Sequence, residues 1–488
     1  MPAERPNILI LSTDQQRADA LGCTGHPQLR TPNMDRLATA GVHFSRAITV
    51  SPLCMASRIS FLTGQYPHNH HVWWNRGDIA AQDVSLFRLL RAGGYRTAHI
   101  GKGHYYSFRP NPDDFHLRDR EAYMHELGFD YVREIFGNEA NLLAGSAMTD
   151  SWRAKGLLEA YRQDYEKRVD NLPDISVWPS PLPVEDFEDS YVGREAVKFI
   201  RDHDGRRPFA AFVGFPGPHE PWDAPGKYAQ MYDPAQTPAP IPPAEPEDWV
   251  APEAARWQRC LREPTMNSAD VARLRANYYG KITLIDDWLG QIVQACAAKG
   301  SLDNLLIVFW SDHGEMLGDH QLLHKSHFFE SSVRVPLLVS WPAKIRTGQH
   351  SDALVETLDI APTVLEAAGI DIPARCMGKS LWPLIEENAD QAGFRDAAFS
   401  EIHFTPPWPG HPKMPQSEHR RNFMVRTNQY KYAVDEAGQG YMLYNLDKDP
   451  REQNNLIGHP NERATENEMR DHLLKFLCRA HSVSGVAS

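Results

Sequence analysis

Asn7-Ile8-Leu9-Ile10-Leu11-Ser12, closed by Asp14 and Gln15, and then Thr31-Pro32-Asn33-Met34-Asp35-Arg36-Leu37-Ala38-Thr39-Ala40-Gly41, give a strand followed by a helix. The first segment is a short unbroken apolar run, the pattern of a strand buried on both faces. The second opens on Thr31 as N-cap, has Pro32 at the first helical position and stops at Gly41. The alternation repeats down the chain. Residues 97–100, 209–215, 305–310 and 335–340 read as further strands, and residues 84–92, 190–201, 269–299 and 358–368 have helical period. Strands alternating with helices predict an α/β fold, a mostly parallel central sheet with helices on both faces.

A boundary falls at residues 371–393, after which the chain turns strand-rich at 397–402, 423–426, 431–434 and 441–444. The expected organisation is a catalytic domain over residues 1–380 and a smaller C-terminal α+β subdomain over 390–488. Proline is concentrated at about 173–187 and 234–253, where it can continue neither a helix nor a central strand, so these insertions are expected to be extended surface loops. Residues 482–488 are small and polar and should fray. There is no internal repeat and no heptad pattern.

The 488 residues carry 51 Lys and Arg against 63 Asp and Glu, a formal net charge of −12. That balance gives no general attraction for nucleic acid. No apolar run nears the ~20 residues of a bilayer span, and the first residues lack the features of a secretory signal. Six cysteines, at 23, 54, 260, 296, 376 and 478, do not make a disulfide framework. A cytoplasmic location is the expectation, for an enzyme or binding protein unusually rich in His (22) and Pro (37).

In open α/β sheets ligands bind beyond the carboxyl ends of the strands. Asp14 and Gln15 follow one apolar run, Lys102 and His104 the next, His219 and Glu220 a third, and Asp312, His313 and Glu315 a fourth. Four strands delivering ionisable groups to one edge point to a site. Asp14, Gln15, Asp312 and His313 make a carboxylate, amide and imidazole set suited to Ca2+, Mg2+ or Mn2+, with Zn2+ conceivable through the imidazole. Pro52 and Gly64 bracket a short helix beginning near Cys54. A thiol there sits among free backbone N–H donors, and Arg58, one turn on, can meet an oxyanion in bidentate fashion. The other five cysteines are expected to be plain buried residues.

Cys54-Met55-Ala56-Ser57-Arg58 resembles the signature by which type I sulfatases mark a cysteine for oxidation to formylglycine. Ordered similarities accompany it: Thr31–Leu37, Thr63-Gly64-Gln65-Tyr66-Pro67-His68, Gly94-Tyr95-Arg96-Thr97 with Gly101-Lys102-Gly103-His104, Ser311-Asp312-His313-Gly314-Glu315, and Leu443-Tyr444-Asn445-Leu446-Asp447 with Asp449-Pro450. The resemblance implies an alkaline-phosphatase-like α/β/α sandwich with a small C-terminal sheet. The Asp-Gln and Asp-His pairs, Asn75 and Lys325 look like the branch holding choline sulfatases and phosphonate monoester hydrolases. Lys102 and His104, where those phosphonate hydrolases carry Tyr and Thr, favour a sulfatase.

The resemblance further implies hydrolysis of aryl or small alkyl sulfate monoesters through a formylglycine hydrate, with phosphonate or phosphodiester monoesters as the alternative. Cys54, Asp14, Gln15, Asp312 and His313 would hold one divalent metal, Ca2+ ahead of Mn2+. Arg58, Lys102 and Lys325 would take up sulfuryl charge, Asn75 would bind substrate, His219 would protonate the leaving group with Lys325 assisting, and His104 would remove the proton that releases sulfate. A formylglycine-generating enzyme and self-association into a dimer or tetramer are the implied partners. His70 or His71 is expected near the substrate pocket, and Trp73 and Trp74 could offer an apolar wall or a cation–π face. Asp19 and Glu315 read as supporting residues.

Overall fold

The computed structural model describes residues 5–79, 85–107, 115–137, 140–170, 176–243, 267–386, 393–404 and 420–483. Val84 of the expected helix, parts of both Pro-rich insertions (173–175 and 244–253), Cys260, residues 387–392 of the boundary and residues 484–488 lie outside them.

Among the described residues nine strands form the large sheet: β1 (Asn7–Asp14), β2 (Val42–Ile48), β3 (Arg96–Lys102), β4 (Tyr131–Ile135), β5 (Phe209–Pro218), β6 (Leu305–Ser311), β7 (Arg334–Val335), β8 (Leu337–Ser340) and β9 (Gln349–Glu356). Their order is β4-β3-β5-β1-β6-β8-β2-β7, with β9 also paired to β2. The run from β4 to β6 is parallel, and β8 is antiparallel to both β6 and β2. Alternate residues of β1 decide the layering: Leu9 and Leu11 join one hydrophobic core, Ile8 and Ile10 the other. Apolar side chains on both faces require helices on both faces. One core packs against α3 (Glu188–Asp202) and α4 (Ser268–Ala298). The other packs against α2 (Cys54–Thr63) and α5 (Ile360–Ala367).

β10 (Ala398–Phe404), β11 (Arg420–Arg426), β12 (Tyr430–Asp435) and β13 (Gly440–Asn445) pair in sequence as a small antiparallel sheet, covered by α6 (Arg463–Val483). Glu401 N–H donates to Val50 O at 3.0 Å, which sets this sheet against the segment leading to Cys54.

Three local readings need correction. The expected strand at 335–340 is split into β7 and β8 by Pro336, which has no N–H to give a ladder. Helix α1 (Pro32–Thr39) begins where expected, but Thr31 does not cap it. Thr31 Oγ1 instead accepts from Gly22 N at 2.7 Å and donates to Asp35 at 2.9 Å, while the free N–H groups of Asn33 and Met34 bond the Asp286 carboxylate of α4 at 3.1 and 2.7 Å. Gly41 serves close approach: a Cβ there would stand 2.0 Å from Val339 O of β8. Cys23 and Cys478, expected to be buried, are exposed.

Candidate active site

The strand ends do converge. Asp14 closes β1 and is fully buried, and Gln15 follows in a left-handed conformation (φ 70°) that turns the chain sharply at the sheet edge. Asp312 and His313 follow β6, Lys102 ends β3, and His219 and Glu220 follow β5. Cys54 is the first residue of α2, whose far end is closed by Gly64 in the left-handed region with its N–H on Ser60 O at 2.8 Å. That Gly is required, because the turn needs a positive φ (69°).

Donor atoms of Asp14, Cys54, Asp312 and His313, all buried, lie within 4.8 Å of one another and could hold a metal ion. Cys54 Sγ stands 3.1 Å from His313 Nε2 and 3.7 Å from Asp14 Oδ1. His313 Nδ1 lies 2.9 Å from Gly314 O, so Nδ1 holds a hydrogen and Nε2 is the atom that faces the cluster. Burial lowers the imidazole pKa, yet Asp312 and Cys54 outweigh it and carry the group up to about 9. Without a cation these acids draw a proton onto His313. The donor set therefore suits a cation.

Two fixed cations back the cluster. Arg58, wholly buried, gives Nε to Asp312 Oδ2 at 2.7 Å, Nη2 to Asp14 Oδ2 at 3.3 Å and Nη1 to Lys102 O at 2.8 Å. Lys102 Nζ lies 2.6 Å from Asp14 Oδ2. Burial pushes the Asp14 carboxyl up, but Lys102, His219, Arg58 and Lys325 together hold it well below the usual carboxylate range. His104 follows in a left-handed turn (φ 56°) with its Nδ1 buried and unpartnered. Burial, then Lys102 and Arg58, lower it to about 3, so it is a neutral imidazole.

On the opposite side Lys325 Nζ bonds Gln15 Oε1 at 2.6 Å and makes a close hydrogen bond with His219 Nε2. His219 Nδ1 lies 2.8 Å from Glu220 O. Burial and Lys325 bring His219 well below the usual imidazole range against the pull of Glu220. Gln15 is thus at the site with its carbonyl on Lys325 and its Nε2 shared between Glu220, at 2.7 Å, and Glu315. Asn75 Oδ1 accepts from Met55 N at 3.2 Å, which places it at the start of α2.

Glu220 and Glu315, both named from the sequence, form with His324, which was not, a second group of possible ligands, although the Gln15 amide already donates into both carboxylates and His324 pairs with Glu220 at 3.1 Å. Sequence reasoning missed further supports. Tyr278 Oη donates to Gln15 O at 2.7 Å, and Lys281 bonds the main chain of the His219 loop at 2.7 Å. Their signal in the sequence was faint: Asn277 and Lys281 are polar residues one turn apart inside an apolar stretch of α4. The histidine triplet disperses. His68 pairs with Glu401 at 2.6 Å, His70 with Ser60 at 2.9 Å, and His71 is exposed. Trp73 is covered by the Arg421 guanidinium at 4.2 Å, and Trp74 packs against the core that contains Leu53 and Phe328. Asp19 forms an ion pair with Arg17 at 2.7 Å, in a supporting position.

Comparison with known proteins gives a consistent picture. The family model described as Sulfatase matches residues 6–370, and that described as N-sulphoglucosamine sulphohydrolase, C-terminal matches residues 318–478. An arylsulfatase of Clostridium perfringens (strain 13 / Type A) is 31% identical, over 97% of this chain and 94% of its own. A multifunctional alkaline phosphatase superfamily protein, PehA of Trinickia caryophylli, is 30% identical over 97% and 95%. Among solved structures, the phosphonate monoester hydrolase of Agrobacterium radiobacter superposes with a TM-score of 0.81 at 28% identity, covering 98% of this chain and 96% of that one.

Proposed function

The chain belongs to the sulfatase family, hydrolases of sulfate esters, and from that premise we propose that it cleaves aryl or small alkyl sulfate monoesters to the phenol or alcohol and inorganic sulfate, with residue 54 as nucleophile. The observation that carries this reading is the setting of Cys54: at the first residue of α2, 3.1 Å from His313 and 3.7 Å from Asp14, with Arg58 and Lys102 bonded to the same carboxylates. Converted to formylglycine, Cys54 would offer a hydrated aldehyde as nucleophile, and a divalent cation held by Asp14, Gln15, Asp312 and His313 would supply the positive charge that acidifies it.

The remaining work falls to side chains already in place. Arg58, Lys102 and Lys325 bring fixed positive charge to the sulfuryl oxygens, and preorganised charge is usually the largest catalytic contribution. Lys325 and His219 act as one proton-donating pair toward the leaving oxygen: the proton comes from the Lys325 ammonium, and neutral His219, whose Nε2 accepts one of its N–H bonds, holds that ammonium in place. His104, neutral and with a free Nδ1, takes the proton whose removal releases sulfate and restores the aldehyde. Residues 54–58 are buried, so a maturation enzyme would have to meet this stretch before the chain folds.

Phosphonate or phosphodiester monoesters are the second reading, favoured by the likeness to the phosphonate monoester hydrolase. Matched aryl sulfate and aryl phosphonate esters separate the two. A higher kcat/KM for the sulfate is expected, and a preference for the phosphonate overturns the choice. Cys54→Ala should abolish turnover with the thermal midpoint retained, and residual activity comparable to the parent would remove residue 54 from the nucleophile role.

A further inference from the structure

The loop that carries His219 is held from behind by a single buried ammonium. Lys281, in the middle of α4, is 1% exposed. Its Nζ donates to His219 O at 2.7 Å, to Pro221 O at 3.1 Å and to Asp223 Oδ1 at 3.3 Å. Three donors meet three acceptors, so the ammonium is fully satisfied where no water reaches it. One turn earlier on the same face, Asn277 Oδ1 accepts from Ala224 N at 3.0 Å, and on the upstream side Asp189 Oδ1 accepts from Gly217 N at 2.9 Å. The segment from 217 to 224 is thereby fixed at both ends and, through Lys281, at the residue that bears the imidazole.

A purely structural role is an inefficient explanation for a charge at this depth. A well-packed apolar side chain in place of a buried ion pair is often as stabilising or more so. What the ammonium adds is direction: two of its three bonds go to backbone carbonyls, one of them that of His219 itself. The imidazole has little else to orient it from its own main chain, because Nδ1 bonds the carbonyl of the next residue, Glu220, within the same loop. Rotation of this segment would carry Nδ1 and its partner together and move Nε2 away from Lys325.

We infer that Lys281 is a positioning residue for His219, fixing the main chain so that Nε2 holds the Lys325 ammonium toward the leaving oxygen. The inference rests on the reading of His219 and Lys325 as the leaving-group acid. A misplacement of about 1 Å at a reacting group costs on the order of 10²-fold in rate. The cost should fall on esters whose leaving group needs the proton, as general acid catalysis contributes roughly 10²–10⁴-fold there.

The test uses the full-length matured enzyme with a series of aryl sulfates from 4-nitrophenyl sulfate, a good leaving group, to phenyl sulfate, a poor one. Lys281→Met is compared with Lys281→Met/Asp223→Asn, which removes the stranded carboxylate as well, and with His219→Ala. For both Lys281 variants kcat on phenyl sulfate should fall roughly 10–100-fold, with about threefold or less lost on 4-nitrophenyl sulfate and KM nearly unchanged. The slope against leaving-group pKa should steepen toward that of His219→Ala. An equal loss along the series, parental rates, or failure of both variants to fold would overturn the inference and leave Lys281 a stability residue. If His219→Ala itself shows no leaving-group dependence, the acid assignment fails instead, and that result is read independently of Lys281.

Discussion

Replacing Glu134 by Gln should make the protein more heat-stable in alkali and leave it nearly unchanged in mild acid. Glu134 lies near the end of β4, opposite Gly101 of β3. The Tyr106 hydroxyl donates to its Oε2 at 2.7 Å, and its Oε1 is buried without a partner. Burial pushes the carboxyl from 4.5 up to about 8, against the pull of the Tyr106 bond. A carboxyl whose pKa is higher folded than unfolded binds its proton more tightly in the native state. Its contribution is therefore complete below about pH 4.5 and is lost as pH rises through about 8. A span of about 3.5 pH units at about 1.36 kcal/mol each sets the full effect at roughly 5 kcal/mol. Gln keeps the acceptor for Tyr106 and cannot ionise. The assay is the thermal midpoint of parent and Glu134→Gln at pH 5 and pH 9, read as a difference of differences because a chain of this size need not unfold in two states. The variant should gain several degrees over the parent at pH 9 and little at pH 5. Equal gains at both pH values, or none at pH 9, would refute the buried-charge argument.

Asp312→Asn should lower the metal-to-protein ratio found by elemental analysis, together with turnover, since Asp312 supplies both a cluster oxygen and the Arg58 contact at 2.7 Å; parental metal content would count against the cluster as the binding site. Gly101→Ala should lower the thermal midpoint and abolish turnover, because the added Cβ, at φ +92°, would stand 2.1 Å from Gly214 O and force β3 and Lys102 away from β5. Gly205→Ala, also at positive φ (+72°) but with nothing within 4 Å, should cost only about 1–2 kcal/mol and leave activity intact, and the pair is compared by differential scanning calorimetry.

How much of this could be read from the chain depended on the range of the forces involved. β1, β5 and β6 were legible because strands buried on both faces are apolar along most of their length, and β3 was read only over its centre, residues 97–100. β2, β4 and β9 escaped because His43, Ser45 and Arg46, Arg133 and Glu134, and Gln349, His350 and Asp352 interrupt the apolar pattern of strands toward the sheet's margins. The caps show the same limit. Thr31 was a sound local choice, yet the helix donors it would have met are satisfied by Asp286, some 250 residues away. Tertiary partners replaced the local one.

The site divides along the same line. Asp14, Lys102, His219 and Asp312 could be found because their position at a strand end is itself the signal. What turns these residues into a working arrangement comes from α4, where no such rule applies. Tyr278 bonds the carbonyl of Gln15 at 2.7 Å, and Lys281 bonds that of His219 at the same distance. The two lie three positions apart on one helix, and they fix the main chain at the ends of two neighbouring strands, β1 and β5. The side of the site that holds Asp14 and Gln15 and the side that holds His219 are therefore referenced to a common rigid element. A small shift of α4 would move both together and preserve their spacing, whereas loss of either contact would change it. That geometry explains why a helix with no residue in the chemistry carries buried polar groups along the face it turns to the sheet edge, and why those groups could be recognised only once the strand ends and the helix were seen side by side.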